Sequence, residues 1–182
     1  MSLENNVIEE IHRWSKESLE KPNDHYNGLP ACPFAKKTWS DNKIHFIYKY
    51  DEDWSVLNNC INDWNDNHDV VVLIDFDYPD IDDLYDLMAK YNDDLSEGKY
   101  KTKDMFLMGF HPEADSNEML EDSFEMTEDN SYAMIFLQRL SKLQEASNLL
   151  REKGYYENCE EYYGSESLYQ YRRDLYRRLK DG

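Results

Sequence analysis

The sequence predicts an α/β fold: a small three- to four-stranded sheet, mostly parallel or ferredoxin-like, covered by helices, with extra helices at the N- and C-terminal ends. Three observations predict it. Residues 69–76, DVVVLIDF, hold a β-branched apolar run, as a strand buried on both faces requires. Residues 80–94 carry Ile81, Leu84, Leu87, Met88 and Tyr91 at helical spacing. The segments alternate strand, helix, strand, helix, strand, the order in which right-handed crossovers lay helices over a parallel sheet.

Each element has its own justification. Residues 4–20 read as a helix through Val7, Ile8, Ile11, Trp14 and Leu19, ended by Pro22 and the turn-forming NDHYNG. Residues 43–50, KIHFIYKY, alternate Ile44, Phe46 and Tyr48 with Lys43, His45 and Lys49, a strand with two unlike faces. Residues 53–65 place Trp54, Leu57, Ile61 and Trp64 on one side of a helix. After the helix at 80–94, DMFLMGF at 104–110 makes a third strand, ending at His111-Pro112. The acidic stretch 113–130 is weakly periodic and reads as a mobile loop with one short helix. Residues 132–152 read as a long helix whose first turn has strand as its alternative. Residues 165–180 read as a helix with Ser165 as N-cap, Leu168, Leu175 and Leu179 inward, and a basic last turn that suits the dipole.

Length and composition bound the rest. The 182 residues amount to one domain, with 155–182 a helical extension. The formal charge is −19, and 24 acids against 4 bases fall between Asp51 and Asn130. Such a surface argues against direct nucleic-acid binding and against anionic membranes. No apolar run approaches a membrane span, and MSLENNVIEEIHRW lacks a signal peptide's basic start and apolar stretch. Three cysteines are an odd, sparse set, so no disulfide framework is expected and a reducing cytoplasm is the default.

The carboxyl ends of parallel strands are where ligands collect. Here those ends carry Asp75, Asp77 and His111. Turn capping by the aspartates and simple packing of the histidine are the alternatives. Cys32 precedes Pro33 and sits near Lys36 and Lys37, so the spacing predicts a thiol N-capping a short helix, where its thiolate is favoured. A buried structural thiol is the alternative. The paired Asp75 and Asp77 after a strand resemble carboxylates that hold Mg²⁺ or Mn²⁺, although Pro79 departs from the phosphatase pattern. Zinc spacings and phosphate-binding glycine loops are absent from the sequence.

The box Gly28-Leu29-Pro30-Ala31-Cys32-Pro33-Phe34-Ala35-Lys36, after Arg13-Trp14 and before Phe110-His111-Pro112, resembles the marker of a domain-of-unknown-function family of small bacterial proteins. Ser131, Tyr132, Leu137 and Arg139 are similar to its later helix start, and the resemblance covers about residues 7–150. That family carries no established activity. The resemblance implies that Cys32, His111 and Arg139 converge. At Asp75-Phe76 and near Phe136 this chain lacks histidines that the family often has, so no histidine-rich metal site is implied.

Three functions follow as expectations. One is an enzyme site with Cys32 as nucleophile or ligand, His111 as base or second ligand, Arg139 as anion clamp and Asp75 orienting His111 or binding a cation. The second is an acidic interaction or regulatory protein that docks to a basic partner or mimics DNA's phosphate array. The third is metal-dependent phosphoryl or glycosyl transfer on Asp75 and Asp77. No organic cofactor is expected, and whether the chain is an enzyme stays open at this point.

Overall fold

In a computed structural model the described residues, 2–114, 131–158 and 165–181 (165–167 by backbone only), form a four-stranded sheet between two layers of helices. Helix α1, Leu3–Trp14, starts at Ser2, whose hydroxyl accepts from the Asn5 amide at 3.3 Å. The helix expected over 4–20 widens after Trp14 into a π turn, Ser15–Leu19, closed by the Glu20 amide on the Ser15 carbonyl at 3.0 Å. The helical run ends there, with Glu20 as its cap, and Pro22 follows in extended backbone. Strand β1, Pro22–Asn23, pairs with β2, Leu29–Pro30, and Asn27 (φ 56°) and Gly28 (φ 75°) take the left-handed conformations that turn the chain between them.

The main elements follow in the predicted order: α2 (Ala35–Ser40), β3 (Ile44–Lys49), α3 (Ser55–Asn62), β4 (Val70–Asp75), α4 (Ile81–Ser96) and β5 (Phe106–Phe110). Residues 132–152 divide into strand β6, Ala133–Gln138, and helix α5, Leu140–Glu152. AMIFLQ is too short for its period to separate strand from helix. The sheet decides the matter, because β6 fills a central slot that requires apolar side chains on both faces. Helix α6, Ser165–Asp181, packs on α5 and α4.

The strand order is β3-β4-β6-β5, with β3 parallel to β4 and β6 antiparallel to both of its neighbours. Strands β3, β4 and β5 therefore share one direction. Alternation sorts the side chains between two faces. Val71, Leu73, Leu107, Ile135 and Leu137 meet Leu57 and Ile61 of α3 and Leu84 and Leu95 of α4. Val70, Val72, Ile74 and Met134 meet Val7, Ile11 and Trp14 of α1. On that same face Phe106 packs against Leu140 and Leu175.

The acidic loop expected at 113–130 lies outside the described residues from 115 onward. So do Cys159 and the capping side chain expected of Ser165. Among the described residues no helix is long and apolar enough to cross a membrane.

Candidate functional site

The carboxyl ends of β3, β4 and β5 meet at one rim. The sheet's parity turns Lys49 and Asp75 inward there, and they are register partners on adjacent strands. Lys49 Nζ donates to Asp75 Oδ1 at 2.9 Å and to the Asp77 carbonyl at 2.9 Å, with the Trp54 ring 4.5 Å away. Lys49 is 2% exposed and Asp75 0%. The Asp77 amide also donates to Asp75 Oδ1, at 3.0 Å, the local turn bond that strand-end aspartates make. Asp75 Oδ2 has no hydrogen-bond partner. Burial pushes the Asp75 carboxyl above the usual carboxylate range, against the pull of Lys49 and the Asp77 amide.

This geometry bears on the metal expectation. The Lys49 ammonium already serves as the counter-charge of Asp75 through Oδ1, and the Asp77 side chain is exposed while Asp75 is enclosed. Among the described residues no group of three or more His, Cys, Asp or Glu is arranged to hold a metal ion.

His111 is also buried at this rim, on the α4 face. The Glu113 amide donates to its Nδ1 at 3.1 Å, which leaves Nε2 to donate to the Pro79 carbonyl at 3.0 Å. The Tyr78 ring meets it edge-on at 5.1 Å. Both ring nitrogens are engaged by backbone, and Asp75 does not orient the ring.

Arg139 follows β6, whose antiparallel course carries it to the opposite rim. Its Nε and Nη2 donate to Asp66 Oδ1 at 3.0 and 2.8 Å, its Nη1 donates to Thr102 Oγ1 at 3.3 Å, and Trp64 lies 5.6 Å from the guanidinium. The anion it clamps is its own chain's Asp66.

Cys32 does not cap a helix. Helix α2 begins at Ala35 with Phe34 as its cap, and Cys32 lies in the turn before it. Its amide donates to the Leu19 carbonyl at 2.9 Å and its carbonyl accepts from the Ala35 amide at 3.1 Å. Burial pushes the thiol up, outweighing the Phe34 and Ala35 amides that favour the thiolate. Burial likewise pushes Cys60 up to about 11. Cys32 is therefore a neutral wall residue at neutral pH. Val70, Val72, Phe110 and Phe136 share its cavity on the α1 face, whereas His111 packs beside Pro79 beneath α4. The sheet stands between the two. Cys32, His111 and Arg139 thus occupy three separate places.

The cavity beside Cys32 has a volume of about 410 Å³. Its floor is the sheet, its near wall Ile11 and Trp14, and its far wall Leu143, Ala146, Leu150 and Leu168 of α5 and α6. Phe34, 45% exposed, lies at its outer lip. Stacked Tyr26 and Tyr155, centroids 4.7 Å apart, close one end, and Tyr155 donates a hydrogen bond to the Ala31 carbonyl. Arg172 also lines the cavity, 7% exposed, donating to Ser147 Oγ at 3.0 Å and Tyr156 Oη at 3.4 Å.

Sequence reasoning missed Lys49 and Arg172, and each had a signal. Lys49 has the inward parity of Ile47 and ends its strand as Asp75 ends the next one. Arg172 falls four residues after Leu168 and three before Leu175, on the inward stripe of its helix. Its basic neighbours Arg173, Arg177 and Arg178 hide it in what reads as a solvated face. Comparison with protein-family models, with curated proteins and with solved structures finds no match to this chain.

Proposed function

We propose that this is a small-molecule binding protein that holds an apolar ligand between α1 and α5, and that Cys32 and His111 do not act as a catalytic pair. One observation carries the reading: a cavity of about 410 Å³ with walls from the sheet and from four helices. Packed interiors hold few voids larger than a water molecule, whereas ligand pockets run about 300–1,000 Å³ and are mostly apolar. Trp14 and Trp39 line the space and offer a signal. The neutral dye N-phenyl-1-naphthylamine should bind the whole chain with enhanced emission and quench tryptophan. Ala146→Phe, which fills the cavity from α5, should weaken that binding at least about tenfold. A native protein that leaves the dye dark overturns the proposal. The two described cysteines are free thiols, which fits a cytoplasmic setting.

A second reading rests on the rim. Exposed Glu52, Asp77, Asp83 and Asp86 line an open groove of about 540 Å³ together with Trp54, Tyr78 and the cations Lys49 and Lys90, and exposed Asp51, Asp53, Asp80 and Asp82 lie next to these residues in the chain. A basic partner segment would dock there, through carboxylates and aromatic faces. An oligolysine peptide should then perturb Trp54 at low ionic strength and release as salt rises. No change in emission at low salt refutes this reading.

A further inference from the structure

We infer that the ligand of the cavity is an amphipathic monocarboxylate of the fatty-acid class, its head met by Arg172. This deepens the binding reading above and rests on it. The two buried cations among the described residues differ in their partners. Lys49 is enclosed with Asp75 as its counter-charge. Arg172, 7% exposed, has no ion pair with any described carboxylate. Its partners are two neutral hydroxyls, Ser147 and Tyr156, and the Phe106 ring 5.9 Å away. Its Nε is buried and has no hydrogen-bond partner.

A guanidinium cannot escape this position by losing its proton. A buried charge without a counter-charge is among the costliest arrangements a fold can hold. This chain has 39 acidic residues and places none of the described ones here. Arg172 lines the same cavity as Ile11, Trp14, Val72 and Phe136. One end of the space is thus cationic with donors to spare, and the rest is apolar. A carboxylate matches the fork geometry of the guanidinium, with hydroxyl donors at Ser147 and Tyr156 beside it. A doubly charged phosphate would bring a second negative charge that one cation does not match, inside a molecule of formal charge −19.

The test is calorimetry of the full chain with decanoate and with 1-decanol at neutral pH. Decanoate should bind native protein about ten- to a hundredfold more tightly than the alcohol, the range for a buried charge-assisted contact. Arg172→Met should erase that preference and leave the alcohol's affinity unchanged. Because Arg172 lacks a counter-charge among the described residues, the unliganded variant should melt within about 4 °C of native protein. Ser147→Ala, which keeps the charge and removes one donor, should keep the preference at a reduced ratio. Equal binding of acid and alcohol to native protein overturns the inference and leaves the apolar site standing. A large loss of stability in Arg172→Met, with the acid preference undiminished from the native ratio in Ser147→Ala, makes Arg172 structural and also overturns it. Failure of decanoate, decanol and the neutral dye alike removes the binding reading itself.

Discussion

Lys49 and Arg172 show how much one residue decides in this fold. Lys49 ends an exposed-looking strand, yet its ammonium is held by Asp75, the Asp77 carbonyl and Trp54. Removing it by Lys49→Met leaves Asp75 buried and uncompensated. The expected cost is about 3–5 kcal/mol, read by urea denaturation at pH 7. The double variant Lys49→Met with Asp75→Leu should recover most of it, since an apolar pair of similar volume needs no counter-charge. The sign with pH follows from the raised Asp75 value. A carboxyl raised on folding stabilises most below its unfolded value, and that contribution fades as pH rises through the folded one. The Lys49→Met deficit should therefore be smaller near pH 4 than at pH 7. A deficit independent of pH would mean that Asp75 is not the group left behind.

At the scale of elements, α4 is set by its ends as much as by its stripe. Asp80 accepts from the Asp83 amide at 3.1 Å, and Asp82 and Asp83 sit in the first turn, where negative charge suits the dipole. Asp80→Ala should cost about 1 kcal/mol in urea unfolding, and an unchanged midpoint would refute the cap. Elements of this kind were legible: the stripe of α4, the buried run of β4 and the alternation of β3 carry long, consistent periods. Strand β6 was not, because its six residues suit either period and only its slot between β4 and β5 decides. The site was less legible still. Spacing puts Cys32 before a proline, but whether it caps a helix depends on two residues of further turn before Ala35. Whether Cys32 and His111 meet depends on which face of the sheet each belongs to, and that parity is a property of the strands around them rather than of either residue.

For the whole molecule, charge and apolar burial are spatially divided. Among the described residues, exposed carboxylates gather at the carboxyl rim and along the outer side of α4. The apolar cavity opens instead on the face covered by α1, α5 and α6, beneath the Cys32 segment. A hydrophobic ligand and a basic partner would thus be met on different sides, and neither reading depends on the other.

The antiparallel strand in the middle of the sheet has a consequence during synthesis. β4 emerges from the ribosome well before Ala133, so Val70–Asp75 must wait, with one backbone edge open, for a partner some sixty residues downstream. A ribosome stalled before that partner is made would release a sticky half-sheet, a natural client for a chaperone.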